Sequence, residues 1–394
     1  MMKSKIVCIC CCCLGGIFLL SCSKKKEENS LEAVPLKKAP VVVDVDMKSD
    51  ENTLPLDSLF EFVSAVKLET TNDNLLGDVW DILFLDDKII VEDMEYTKSL
   101  TVYDQVGNYL HKIGMLGQAP NEYAFLDYVS ADSNGIRLTD IGGQKIMQFD
   151  LNGNMLQSVK MPFFAERCEL LSDNMLVSQS DGGIVADGIA CKPRIVVSDL
   201  QGNVSFSAFP TDHHENYHLS IVHPMRKFKN DLFFIPPYND TIYQITKEGI
   251  YPHYILDIKR QGDINQDDKI NTKQFVEKLK TLSAYFEGDF VELKDYTLFG
   301  IREPNMWPRF VVYAKNRKCS YYCDGNYKDA RLRFSLNKRF YCKDNLFVTF
   351  ASATDVLSFK KELYRLCPKD EIDALLSGLT EDDNPVLFFY KIKI

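Results

Sequence analysis

Short apolar runs recur along this chain, and each is opened by a polar turn of Asp or Asn. Five are plain: Asp87-Lys88-Ile89-Ile90-Val91, Asn134-Gly135-Ile136-Arg137-Leu138, Asp173-Asn174-Met175-Leu176-Val177, Asn230-Asp231-Leu232-Phe233-Phe234 and Asp344-Asn345-Leu346-Phe347-Val348. Their starts are 47, 39, 57 and 114 residues apart, and the last gap leaves room for one more unit, making six. A second unit alternates with the first: Tyr103-Asp104-x-x-Gly107-Asn108, Phe149-Asp150-x-x-Gly153-Asn154 and Ser198-Asp199-x-x-Gly202-Asn203, with a looser relative at Ile245-Thr246-x-x-Gly249. It reads as a hairpin turn in which Asp bonds its own backbone and Gly supplies a positive φ. A period of 40–50 residues with several short strands in each predicts propeller blades, which bury both faces against their neighbours and are stable only in a closed ring. The predicted fold is all-β, a six-bladed propeller of four-stranded antiparallel blades spanning residues 41–394, with a few inserted helices.

Ring closure needs the two ends of the chain to meet in one blade. Val386-Leu387-Phe388-Phe389-Tyr390 and the run Val41–Val45 are the natural partners by pattern. Apolar residues at Phe275, Leu279 and Leu282, with charges between them, predict an amphipathic helix over 271–285. Residues 355–366 and 369–379 also read as helices.

Three local patterns give the chain a likeness. Ile113-Gly114-Met115-Leu116-Gly117-Gln118-Ala119-Pro120-Asn121-Glu122-Tyr123 resembles a G-x-x-G-x-G-P-G-E-Y loop, with Ala119 and Asn121 where glycine is usual. Tyr238-Asn239-Asp240-Thr241-Ile242-Tyr243 resembles an N/D-D-T-I-Y turn and strand, and Asp383-Asn384-Pro385-Val386-Leu387 an N-P-V-L closing strand. In this order they resemble the six-bladed β-propeller lipoproteins of Bacteroidetes, related in architecture to NHL-type propellers. The resemblance implies a fold and an address; it implies no chemistry.

The first residues carry the address. Lys3 and Lys5 precede an uncharged stretch from Ile6 to Leu20, too short and Cys-rich for a convincing spanning helix and better read as a secretory signal. It ends in Leu19-Leu20-Ser21-Cys22, which resembles a lipobox, implying a signal peptide over 1–21 and lipid on Cys22. Residues 22–40 are polar and Pro-containing and read as a tether. Within it, the run Ser23-Lys24-Lys25-Lys26-Glu27-Glu28 resembles a surface-export signal of Bacteroidetes. The expectation is an outer membrane lipoprotein, at the cell surface or facing the periplasm. Beyond the signal and Cys22, six cysteines remain of 12, and they read as free or buried thiols. Cleavage before Cys22 would remove two lysines and no acid, taking the formal charge from −10 to −12. An acidic surface argues against nucleic acid.

Candidate chemistry is sparse. His213, His214, His218 and His223 stand close in sequence, a hint of metal or ligand contact, but they read as a loop with no shared face; His111 and His253 are too few to complete a channel zinc site. Asp263, Asn265 and Asp267 match the first oxygens of a calcium loop, yet Asp268 stands where Gly turns and Gln274 where a bidentate acid closes the shell. Weak calcium binding competes there with a solvated loop that caps the helix. Trp307 and Arg309, in a Pro-rich loop, form a candidate platform for a glycan or peptide, against simple packing. The Glu122-Tyr123 pair is expected to tie neighbouring blades through backbone hydrogen bonds. No nucleophile elbow, zinc-binding helix motif or phosphate loop occurs.

These features point to a membrane-anchored binding module for a protein, peptide or glycan. The alternative is a lyase or glycoside-processing hydrolase, which predicts acids or histidines with perturbed pKa at the ring axis. A scaffold, by contrast, predicts an exposed apolar patch and no concave polar pocket.

Overall fold

A computed structural model of the chain describes residues 39–48, 51–186, 189, 192–211, 223–262, 272–303, 309–323 and 340–394. The N-terminal segment forms β1 (Val41–Val45), β2 (Thr53–Leu54), a short helix α1 (Leu56–Leu59) and β3 (Phe60–Lys67). Blade I follows as β4 (Asp81–Leu85), β5 (Lys88–Asp93), β6 (Ser99–Asp104) and β7 (Tyr109–Lys112). Blade II is β8 (Leu126–Asp132), β9 (Gly135–Asp140), β10 (Lys145–Phe149) and β11 (Met155–Lys160); blade III is β12 (Arg167–Ser172), β13 (Met175–Gln179), β14 (Lys192–Asp199) and β15 (Val204–Thr211). Blade IV is β16 (Met225–Phe228), β17 (Asp231–Phe234), β18 (Thr241–Thr246) and β19 (Gly249–Ile258). Helix α2 (Thr272–Leu279) leads into blade V, made of β20 (Tyr285–Glu292), β21 (Tyr296–Arg302), β22 (Arg309–Ala314) and β23 (Cys319–Cys323). Blade VI is β24 (Tyr341–Lys343) and β25 (Leu346–Ala351), then α3 (Ala353–Ser358), α4 (Lys360–Leu366) and α5 (Lys369–Leu376), then β26 (Val386–Ile392).

The six blades are meanders, as the repeat predicts, and the unit missing from the sequence pattern is blade V. Six apolar clusters fill the six seams. Ile136 and Leu138 of blade II meet Ile90 and Val102 of blade I; Leu176 and Val196 of blade III meet Ile146 of blade II. Further round, Val177 meets Phe234, Phe233 meets Phe299, Phe310 meets Phe347, and Val348 with Phe389 meets Ile89. Each seam is a separate core, so no blade can hold its apolar faces out of water alone.

The repeated turn works as its residues dictate. Asp104 Oδ1 accepts from the amides of Val106 and Asn108, and Asn108 Nδ2 donates back to Asp104 Oδ2 at 2.8 Å. Asp150 with Asn154 and Asp199 with Asn203 repeat it. Gly107 has φ +93°, and a side chain there would strike the Lys67 carbonyl of β3.

Closure differs from the expectation. Val386–Ile392 pairs antiparallel with Phe60–Lys67, not with Val41–Val45. The reason is geometric: β3 passes directly to β4, the inner strand of the adjoining blade, so it must be the outer strand of the last blade. Val41–Val45 instead adds a fifth strand to blade IV, parallel to Tyr254–Ile258. Thr53–Leu54 does the same on blade V, against Tyr322–Cys323. The N-terminal segment thus crosses the outer edges of blades IV, V and VI in turn.

The inserted helix is also shorter than predicted: it stops at Leu279, and Tyr285 already opens β20. Its buried Phe275 packs edge-on against Tyr238, ring centres 5.1 Å apart. Among the described residues no helix is long and apolar enough to cross a membrane.

Antiparallel meanders sort the connections by end. The tight turns after the first and third strand of each blade gather at one end of the ring, the turn end. Connections between blades, and the segment carrying α3–α5, gather at the other, the loop end.

Candidate functional site

A cavity of about 460 Å³ opens between blades II, III and IV at the turn end. Four charged side chains stand along its inner wall, from three consecutive blades: Asp132 and Arg137 of blade II, Glu169 of blade III and Lys227 of blade IV. β9 alternates, sending Ile136 and Leu138 toward blade I, while Thr139 meets the amide of Cys168 in blade III at 3.1 Å. Arg137 shares that second face. Its Nη1 and Nη2 donate to the two Asp132 oxygens at 3.1 and 2.5 Å, and its Nε donates to Glu169 Oε1 at 2.8 Å. Lys227 Nζ donates to Asp132 at 2.7 Å and to Glu169 at 2.9 Å.

Two cations therefore face two carboxylates, and none of the four side chains is more than 9% exposed. Burial works against an ionised Asp132, but the hydrogen bonds from Arg137 and Lys227 outweigh it and hold its carboxyl well below the usual range. Burial likewise opposes charge on Arg137, and the attraction of Glu169 and Asp132 more than restores it. One atom is left over: Glu169 Oε2 is buried and has no hydrogen-bond partner.

Amides line the outer wall. Gln148 Nε2 donates to the Asn134 carbonyl and Gln157 Nε2 to Gln148 Oε1, both at 2.6 Å. Asn230 stands in the β16–β17 turn, Asp173 in the β12–β13 turn, and Leu156, Leu170, Leu171 and Leu232 supply apolar surface. Among the described residues no aromatic ring and no cysteine lines the cavity.

The loop end carries a second polar group. Arg167 Nη1 donates to Gln179 at 2.9 Å, to Glu166 at 3.2 Å and to Asp181 at 3.4 Å. Burial raises Asp127 to about 6, the nearby Arg167 charge offsetting it only in part, and burial also raises Asp181. Across the ring, His223 Nδ1 of the segment opening blade IV lies 3.9 Å from Asp81 Oδ2 of blade I, and the His223 ring meets Trp80 edge-on.

Cys22, His213, His214, His218, Asp263, Asn265, Asp267 and Trp307 lie outside the described residues. Arg309 is described and is not part of the cavity: its guanidinium donates to the carbonyls of Met47 and Cys323 and to Glu303. Among the described residues no group of three His, Cys, Asp or Glu side chains converges as a metal site. Cys168, Cys319, Cys342 and Cys367 are free thiols. Glu122 and Tyr123 do tie the loop: Glu122 accepts from the Ala119 amide, and the Tyr123 hydroxyl donates to the Lys98 carbonyl of blade I at 2.8 Å.

The cavity residues escaped the sequence pattern because none of them recurs from one repeat to the next. A signal was present nonetheless. Arg137 interrupts Ile136-x-Leu138 and Glu169 interrupts Cys168-x-Leu170, charges placed where a strand buried on both faces has no use for them.

The ring is similar to solved structures. A protein of Bacteroides fragilis named as a putative exported protein superposes with a TM-score of 0.73 at 20% identity, covering 90% of this chain and 100% of that one. A member of the DUF4221 family from Bacteroides vulgatus superposes at 0.50 with 11% identity, over 86% of this chain and 99% of that one. No curated protein sequence matches the chain. Residues 40–391, which span the whole ring from β1 to the last strand, match the profile of DUF4934, a domain of unknown function, and the chain belongs to that family.

Proposed function

We propose that this protein is an exported binding module, held to the outer membrane through lipid on Cys22, that takes up a ligand in the turn-end cavity. The observation that carries the reading is the cavity itself: a concave polar site whose four inner-wall charges neutralise one another across three blades. Such a wall is built to hold a shape and to offer hydrogen bonds. Among the described residues of its lining, no nucleophile is hydrogen-bonded to a base, as covalent chemistry would need. A scaffold with no ligand predicts no concave polar pocket, which disfavours that alternative. The ligand classes that fit are a glycan, a peptide or an exposed protein segment. The Bacteroides fragilis neighbour named as exported supports the envelope address.

The experiment uses the full-length chain in detergent. Glycans and peptides offered to it are expected to be retained reversibly and recovered unchanged, and Asn230→Trp, which fills the cavity mouth, is expected to abolish retention. Conversion of any of them to product would overturn the reading. For the anchor, Cys22→Ala is expected to move the protein out of the membrane fraction and to end incorporation of labelled fatty acid.

One observation favours the enzyme alternative. Asp127, raised to about 6 beside Arg167, is a carboxyl poised near neutrality at the loop end, as a general acid would be. Turnover lost in Asp127→Asn but kept in Asn230→Trp would establish it.

A further inference from the structure

Resting on the cavity as the recognition site, we infer that its ligand is a neutral saccharide, held through hydroxyl groups. The argument is an inventory of donors and acceptors. Asp132 is saturated: its oxygens accept from Arg137, Lys227 and the Asn134 amide. Glu169 uses Oε1 for Arg137 and Lys227 and leaves Oε2 with no partner, in a side chain wholly removed from solvent. Lys227 has three protons and makes two bonds, so one donor remains. The four side chains carry two positive and two negative charges.

The inner wall is already neutral, the one further charge of the lining, Asp173, stands exposed in the β12–β13 turn where solvent screens it, and pulling Lys227 or Glu169 toward a charged ligand would strand the other partner. A hydroxyl suits the wall better, because one O–H group both donates and accepts. A hydroxyl on a sugar ring can accept from the third Lys227 proton without disturbing the network, while Glu169 Oε2, closed to solvent, stays out of its reach. The outer wall continues the pattern. Gln157 spends its Nε2 on Gln148 and keeps its carbonyl oxygen for a hydroxyl donor. Leu156 and Leu232 offer apolar surface for the C–H face of the ring.

The test uses ligand-observed NMR and calorimetry on the full-length chain in detergent. Glucose, galactose, N-acetylglucosamine, maltose and cellobiose form the neutral set; glycyl-lysine and glycyl-glutamate form the charged set. The double variant Gln157→Ala/Asn230→Ala tests the site, because both side chains are exposed on the rim and neither supports the core. At least one neutral sugar is expected to bind saturably, with affinity unchanged between low and high salt, and to lose about tenfold or more in the double variant. Absence of binding across the neutral set, or sugar binding indifferent to the double variant, overturns the saccharide assignment. A charged dipeptide that binds and weakens in the double variant overturns that assignment and leaves the cavity standing as the recognition site. If no probe in either set responds to the variant, both readings fall.

Discussion

Arg137 Nε donates to Glu169 Oε1 at 2.8 Å across the seam between blades II and III, and at most 4% of either side chain meets solvent. A pair sealed so completely is costly to break from one side, because the survivor keeps its charge and loses its partner. Glu169→Leu is expected to destabilise the ring by about 3–5 kcal/mol. It leaves Arg137 and Lys227 sharing Asp132 alone. Adding Lys227→Met restores neutrality, so the double variant should be more stable than the sum of the single losses. Denaturant midpoints of the three variants decide the matter.

Asp127 sets a pH dependence at the other end. Its carboxyl is raised to about 6, chiefly by burial, so the fold favours the protonated form. The stability that this contributes is complete below the value of a free aspartate, near 4, and is lost as the pH climbs through about 6. Asp127→Asn removes the ionisation. It should stabilise at pH 7–8 by roughly 1–3 kcal/mol and have little effect at pH 4. Melting temperatures of both proteins at the two pH values test the sign.

The six-blade repeat was readable because Asp104, Asp150 and Asp199 each fold their own turn through local bonds, which leave a fixed spacing in the sequence. Closure was not. β1 and β3 are both plausible strands by pattern, and the parallel pairing of Val41–Val45 with blade IV requires no hairpin turn that a sequence could display. The cavity was hidden for a related reason: the Asp132–Arg137 pair of blade II meets Glu169 and Lys227 only through the curvature of the ring.

Closure by β3 makes a clear demand on truncation. Removing residues 1–54 takes away β1 and β2 and leaves β26 paired. A single cooperative transition at lower temperature is expected, since Val43 and Val45 leave the seam between blades IV and V. Removing residues 1–67 strips β26 of Phe60–Lys67 and opens the ring. Calorimetry of that chain should show no cooperative transition.

The thiols should be silent in the native state. Burial pushes Cys168 and Cys367 up to about 12 and Cys342 up to about 11, far from the thiolate that reacts. A thiol reagent at pH 8 is expected to leave these three unmodified until denaturant is added, and peptide mapping would show it. Modification of Cys168 in the folded protein would contradict the packing of its sulfur against Met161 at 3.2 Å.

β1 runs parallel to β19, toward the loop end, so Ala39 and Pro40 approach the ring from its turn-end side. With lipid on Cys22, as proposed, the anchor pulls from the side on which the cavity opens. The chain therefore enters the ring on the cavity side, and the length of the tether read from the sequence sets how far the mouth can stand from the bilayer, not which way it faces.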